Sequence, residues 1–170
     1  KFISHSISNV NLDVIRYLTE DDYPQIARHP KKSIVQIIQD ESIPEYLRNL
    51  IETTENIFNT VNQSEYLEEE DEVVNAFLFD LGIKFQCGDE MGIQKDYFYA
   101  IRYLRGAALL GNSYAVYALA LIFFNFKGSD QLVFQMLSIA ADLGVIDAYE
   151  MIGILYGIGK CVDKNIVMSS

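Results

Sequence analysis

Three segments of the chain share one pattern: AFLFDLGIKFQCG (residues 76–88), YAVYALALIFFNF (residues 114–126) and DAYEMIGILYGIG (residues 147–159). Their seventh position is always small, being Gly82, Ala120 or Gly153, and these positions are 38 and then 33 residues apart. Periods of this size are typical of stacked helix pairs, in which one unit cannot bury its apolar face alone. The sequence therefore predicts helical repeats.

A second phrase follows the first two segments. The pattern AAxxG at residues 107–111 recurs at residues 140–144. Small residues allow two helices to approach closely, and glycine closes a helix in the left-handed conformation without a steric cost. Each repeat is therefore predicted to be an antiparallel helical hairpin whose second helix ends at Gly111 or Gly144.

The apolar periodicity predicts the boundaries of the repeat helices. We expect helices over residues 73–86, 96–110, 113–126, 130–143 and 147–156. Asp96 and Asp130 each stand where an N-cap is needed. No sheet is expected.

The two phrases together resemble the Sel-one-like repeat (SLR) family, a relative of the tetratricopeptide repeat, over about residues 73–168. The family pattern is similar to A-x3-LG-x2-Y-x2-G-x-G-V-x2-D-x2-KA-x3-Y-x2-AA-x2-G-x3-A. The first copy matches it at Leu81-Gly82, Phe85, Gly88, Gly92-Ile93, Asp96, Ala100, Tyr103, Ala107-Ala108, Gly111 and Ala115. The second copy replaces the loop glycines with the short turn at residues 127–130, and the third stops before its second helix.

The resemblance implies an all-α fold, a right-handed α-solenoid of stacked antiparallel hairpins. Residues 73–170 would hold two complete repeats and one truncated repeat. Residues 1–72 are predicted to form an acidic helical region, continuous with the solenoid and packed on the first repeat. Within it, Ser42-Ile43-Pro44-Glu45 predicts a capping box and a helix to about Val61. The buried stripe of that helix is predicted to be Leu47, Leu50/Ile51, Thr54 and Ile57/Phe58.

The net charge of −11 is concentrated in the N-terminal part of the chain. Residues 1–75 carry 15 Asp and Glu against 6 Lys and Arg, whereas residues 76–170 carry 9 against 7. Such a field repels nucleic acid and anionic membrane and attracts a basic protein. The simpler interpretation is that the acids keep a solvated face soluble. No apolar run is long enough for a transmembrane helix, and the two separated cysteines predict reduced thiols and a cytoplasmic location.

Candidates for catalysis are weak, so we predict no enzyme, no cofactor and no metal. His5 and His29 lie outside the repeats and have no His or Cys at metal-ligand spacing. Cys87 and Cys161 have no obvious histidine partner. The phrase GIGK at residues 157–160 lacks both the first glycine and the Ser/Thr of a phosphate loop.

Binding of another protein is the favoured function, because a solenoid presents a long concave face. In the related tetratricopeptide repeats the first helix of each pair lines that face. The resemblance therefore implies these binding residues: Phe79, Gln86, Tyr114, Tyr117, Phe124, Asn125, Asp147 and Glu150. The acidic run of Glu68, Glu69, Glu70, Asp71 and Glu72 is a second candidate. The alternative is that the aromatic side chains belong to the core.

Two functions remain open at this point. One is a scaffold or adaptor that holds partner proteins in the groove. The other is a small acidic inhibitor, for instance an immunity protein that neutralises a basic toxin such as a nuclease by covering its active site. Regulation of a cytoplasmic enzyme is a third, less favoured possibility.

Overall fold

The computed structural model describes residues 14–16, 18, 20–63 and 71–158, and every regular element in them is helical. Two 3-10 helices, Glu20–Asp22 and Gln25–Ala27, precede the longer elements. The α-helices that follow are α1 (Ile34–Ile38), α2 (Glu45–Gln63), α3 (Asp71–Cys87), α4 (Tyr97–Leu109), α5 (Ser113–Asn125), α6 (Asp130–Asp142) and α7 (Ile146–Ile158). The prediction of an all-α fold is confirmed for the described residues, and the predicted boundaries of α3 to α7 are correct to within two residues.

The helices pack mainly on their neighbours in the chain. The most extensive contacts join α3 to α4 and α5 to α6, the two predicted hairpins. Contacts between α4 and α5 and between α6 and α7 then link one pair to the next. The core is therefore one apolar cluster that continues from residue 15 to residue 155.

Glycine allows the close approach of α3 and α4. A methyl group added at Gly82 would lie 2.6 Å from Cγ and 3.1 Å from the backbone nitrogen of Leu104. Leu104 is fully buried, so its side chain cannot move aside into solvent. The predicted packing reason for a helical glycine at this position is thus visible in the structure.

In each hairpin, two alanines and a glycine form the end of the second helix. At the end of α4, Gly111 has φ of 96° and donates its N–H to the Ala108 carbonyl at 2.9 Å. The N–H of Asn112 reaches the Ala107 carbonyl at 3.1 Å. The same two bonds, at 2.9 and 3.0 Å, close α6 around Gly144, whose φ is 100°. Both are Schellman motifs, so the predicted roles of these glycines are confirmed.

The shortened turn of the second repeat closes in the same way without glycine at the left-handed position. Lys127 adopts φ of 57° and donates its N–H to the Phe124 carbonyl at 3.1 Å. Gly128 donates to the Phe123 carbonyl at 2.7 Å. A lysine thus occupies a conformation that costs an ordinary residue about 1–2 kcal/mol.

One predicted N-cap is correct and one is wrong. The Asp96 carboxylate accepts the N–H of Phe98 at 2.9 Å and caps α4. Asp130 is instead the first residue of α6, and the cap is Ser129, whose hydroxyl accepts the N–H of Leu132 at 3.3 Å. Ser129 directly precedes Asp130, and it is Ser129 whose backbone is not helical.

The predicted capping box at Ser42 is also wrong. The Ser42 hydroxyl donates to Asp40 Oδ1 at 2.6 Å, and α2 begins only at Glu45. Hydrogen bonds from the hydroxyl and backbone N–H of Ser42 lower the pKa of the Asp40 carboxyl. A capping box does form at the start of α1, where Ser33 and Gln36 exchange hydrogen bonds of 2.8 and 3.1 Å.

The predicted buried stripe of α2 is largely present. Leu47, Ile51 and Thr54 are buried, whereas Leu50 and Ile57 are partly buried. The Thr54 hydroxyl donates to the Leu50 carbonyl at 2.7 Å, which satisfies a polar group inside the core.

Buried tyrosines of α4 join it to the N-terminal part of the chain. The Tyr103 hydroxyl donates to Glu55 Oε1 on α2 at 2.7 Å, and Arg102 holds the same carboxylate at 2.7 Å. The Tyr99 hydroxyl donates to the Lys32 carbonyl at 2.7 Å. Both tyrosines therefore pack in the core and bond through their hydroxyls to the N-terminal part of the chain.

Candidate protein-binding surface

The first turn of α5 presents two of the predicted binding residues. Asn112 caps this helix by accepting the N–H of Ala115 at 3.0 Å. Its amide also donates at 2.8 Å to Asn75, a buried residue of α3. This pair fixes the start of α5 against the preceding repeat. Tyr114 is 57% exposed there, and Tyr117 is partly buried one turn later.

Two acidic residues of α7 lie near Tyr117. Asp147 and Glu150 are exposed and three residues apart in the first turns of α7, so they share one side of the helix. Burial raises the pKa of Tyr117, and the nearby carboxylates of Asp147 and Glu150 raise it further. We call Tyr114, Tyr117, Asp147 and Glu150 the tyrosine–acid surface.

The side chains of the tyrosine–acid surface are of types that occur at protein interfaces. Its tyrosines combine a large apolar ring with a hydroxyl that can donate a hydrogen bond, the combination that is enriched at binding hot spots. Its carboxylates accept hydrogen bonds from lysine or arginine. The Tyr117 hydroxyl, like that of any tyrosine, is protonated at neutral pH and can donate a hydrogen bond.

The remaining candidates on the first helices are less accessible. Phe79 and Phe124 are partly buried and pack against the core, and Gln86 is partly buried. Asn125 is exposed at the last position of α5. The phenylalanines therefore have a packing role whatever else they contact.

The acidic run is described only in part. Glu68, Glu69 and Glu70 lie outside the described residues. Asp71 is the first residue of α3, and Glu72 follows it with an exposed side chain. Acids at the first turn of a helix are favoured by its positive N-terminal dipole.

The structure describes two of the four histidines and cysteines considered above. His29 is exposed beside Pro30, and Cys87 is an exposed free thiol at the end of α3. His5 and Cys161 lie outside the described residues. Within residues that the structure places, no three His, Cys, Asp or Glu side chains are arranged to hold a metal ion.

A shallow pocket between α1 and the loop before α4 is already occupied by internal bonds. The backbone N–H of Lys31 donates to Asp96 Oδ2 at 2.8 Å, and its ammonium donates to the Lys95 carbonyl at 2.9 Å. Lys32 pairs with Asp40 at 3.9 Å. These bonds join the N-terminal region to the first repeat.

Two polar contacts that position these elements were not foreseen from the sequence. One joins Asn75 to Asn112, and the other joins Glu55 to Arg102 and Tyr103. Their partners lie 37 to 48 residues apart. No local pattern marks such pairs, because each partner is compatible with many others until the helices are packed.

Comparisons with protein-family models, with curated proteins and with solved structures found no match to this chain. The resemblance to the Sel-one-like repeats therefore depends on the repeated motif alone and stays a prediction. Among the helices that the structure describes, none combines the length and the apolar content that crossing a bilayer requires.

Proposed function

We propose that this chain is a non-catalytic protein-binding module, a scaffold or adaptor that holds a partner through the tyrosine–acid surface. The observation that carries the proposal is the proximity of half-buried Tyr117 to the carboxylates of Asp147 and Glu150, with exposed Tyr114 one turn earlier on the same side of α5. Tyrosine is enriched at the centres of protein interfaces, and flanking acids favour a basic partner.

The same proposal includes the arrangement of the helices as a right-handed solenoid. It is supported by packing that runs from each helix to the next and by Schellman motifs at the ends of α4, α5 and α6. In a solenoid the first helices of successive hairpins line one concave face. The binding residues of α5 and α7 belong to two such helices, which is why they can act on one partner.

The experiment is affinity capture from a lysate of the source organism, using the whole chain and three variants. Tyr114→Ala removes an aromatic anchor and Asp147→Lys reverses a charge on the tyrosine–acid surface. Glu52→Lys makes the same charge reversal on exposed α2 and serves as the matched control. We expect one protein that the unchanged chain and the control capture equally.

The affinity of that protein is then measured with purified components. Truncating a hot-spot side chain costs about 2 kcal/mol or more, so Tyr114→Ala should weaken binding by about 30-fold. Equal affinity for the unchanged chain, Tyr114→Ala and Asp147→Lys would refute the tyrosine–acid surface as the binding site.

The second candidate function is a small acidic inhibitor, such as an immunity protein against a basic toxin. The net charge of −11, most of it within residues 1–75, favours this candidate. The salt dependence of the association rate separates the two. Association driven by the acidic field should slow at least tenfold from low to high ionic strength, because salt screens exposed charges. Association through tyrosine anchors should change little.

A further inference from the structure

One side of α7 carries exposed apolar residues. Ile146, Tyr149, Gly153 and Gly157 follow each other at spacings of three or four residues, so they lie on one stripe of the helix. We call these four residues the terminal face. Ile146 is 70% exposed and Tyr149 is 58% exposed, and no described atom lies within 4 Å of a methyl group added at Gly153 or Gly157.

The same position is covered by a helix in both earlier repeats. Gly153 corresponds in the repeat to Gly82 and Ala120. Gly82 is buried under Leu104, and Ala120 is fully buried within the hairpin that α5 forms with α6. Among the residues that the structure describes, the small residue at this repeat position faces open space only in α7.

The neighbouring position on the stripe gives the same result. Tyr149 corresponds to Leu78 in α3 and to Val116 in α5. Leu78 and Val116 are fully buried, whereas Tyr149 is mostly exposed. The opposite side of α7 is ordinary core, since Ala148 and Leu155 are fully buried. The terminal face is therefore the continuation of an interface that occurs twice within the chain.

We propose that the terminal face is a second binding site, which accepts an amphipathic helix of another protein. The hairpin of α3 and α4 shows what fits: an antiparallel helix whose leucine, Leu104, sits over the glycine. Arg102 and Arg105 flank that leucine in sequence. The terminal face is bordered by Asp147 and Glu150, so a partner helix with basic residues beside its leucine would be favoured.

A second copy of this chain fits the site poorly. Contact of α7 with α7 would bring Asp147 and Glu150 of two acidic molecules together, and each molecule has a net charge of −11. A single basic helix avoids the repulsion and can be held in the manner of an internal repeat.

The proposal shares Asp147 and Glu150 with the tyrosine–acid surface but places its apolar contacts on Tyr149 and Gly153, which are not part of that surface. Its test uses the full chain and a fluorescent peptide with the sequence of residues 96–112, which carries Leu104 and both arginines. Binding is measured by fluorescence anisotropy. A scrambled peptide of the same composition controls for non-specific attraction to the acidic protein.

Two substitutions define the site. Gly153→Leu fills the position that a leucine of the partner would occupy, and circular dichroism should show an intact fold because the position is open. Ala76→Leu adds the same side chain at an exposed position of α3 and serves as the matched control. We expect saturable binding by the unchanged chain and by Ala76→Leu. Gly153→Leu in the protein, or Leu104→Ala in the peptide, should weaken binding at least about tenfold.

Three results would overturn the proposal. One is the absence of saturable binding to the full chain. A second is equal affinity of Gly153→Leu and the unchanged chain. The third is self-association, seen by sedimentation and lost in Gly153→Leu, without binding of the peptide, which would assign the terminal face to a second copy. None of these results alters the expected effect of Tyr114→Ala on the partner of the tyrosine–acid surface.

Discussion

Alanine substitution of two equivalent glycines should change stability in opposite directions. Gly82 and Gly153 occupy the same position of the repeat pattern, and both are inside helices. Any difference between Gly82→Ala and Gly153→Ala must therefore come from what each glycine faces. One faces Leu104 and the other faces open space.

The structure sets the size of the difference. Replacing glycine by alanine in a helix favours folding by about 0.5–1 kcal/mol. At Gly153 nothing opposes this gain. At Gly82 the new methyl group would lie 2.6 Å from Leu104 Cγ and 3.1 Å from its backbone nitrogen, so α3 and α4 must separate. Overpacking of this kind costs about 1–3 kcal/mol. The net expectation for Gly82→Ala is a loss of up to about 2.5 kcal/mol.

Urea unfolding followed by far-ultraviolet circular dichroism measures both changes. The unfolding midpoint should fall for Gly82→Ala and rise for Gly153→Ala, with the same dependence on urea in all three proteins. Leu104→Ala in the Gly82→Ala background is the control, since removing the leucine side chain should reduce the additional cost of the methyl group. Equal effects of the two alanine substitutions, in either direction, would refute the close approach of α3 and α4 at Gly82.

Three further predictions concern single positions. Lys127→Gly should raise the free energy of unfolding by about 0.5–1 kcal/mol, because φ of 57° is unstrained for glycine. Lys127→Ala keeps the backbone strain and should not raise the free energy of unfolding. A lower urea midpoint for Lys127→Gly would contradict the left-handed conformation at the end of α5. Gly144→Val should lower the free energy of unfolding by about 1–2 kcal/mol through backbone strain alone. No described atom lies within 4 Å of a Cβ added at this position. The free energy of unfolding should fall less for Gly144→Asn. Equal urea midpoints for the two variants would contradict a left-handed turn at Gly144. Burial, with the Asp96 and Glu55 carboxylates adding to it, raises the pKa of Tyr99 to about 12. Since the unfolded chain loses this proton near the ordinary value of 10.0 and the folded chain does not, stability should fall as pH rises from about 10 to 12. Tyr99→Phe should flatten that fall, and an unchanged slope would argue against the buried hydroxyl.

Repeat hairpins were predictable because their signals are local. The glycines after α4 and α6 act on the backbone of their own turn, and the alanine carbonyls of the AAxxG phrases accept hydrogen bonds from N–H groups three and five residues further along the sequence. The end of α5 shows the limit of this reasoning. The Schellman geometry at Lys127 has no glycine at the left-handed position, so the local pattern does not mark it.

Binding residues were predictable only as a set of candidates. Helical spacing places Tyr117 and Phe124 on one side of α5, but it does not say how much of each ring the neighbouring helices cover. The proximity of Tyr117 to Asp147 and Glu150 depends on the packing of two hairpins. Local pattern similarly could not decide between Ser129 and Asp130 as the cap of α6.

The amino-acid sequence by itself determined the helices, their approximate ends and the pairing of neighbours, because periodic apolar residues, glycines and alanine pairs act over a few residues. Tertiary structure alone decided which of the equivalent small residues are covered. Gly82 and Gly153 look alike in the sequence, yet one is sealed by Leu104 and the other is open. Burial is a property of what lies opposite a residue, and that is set by the packing of whole helices.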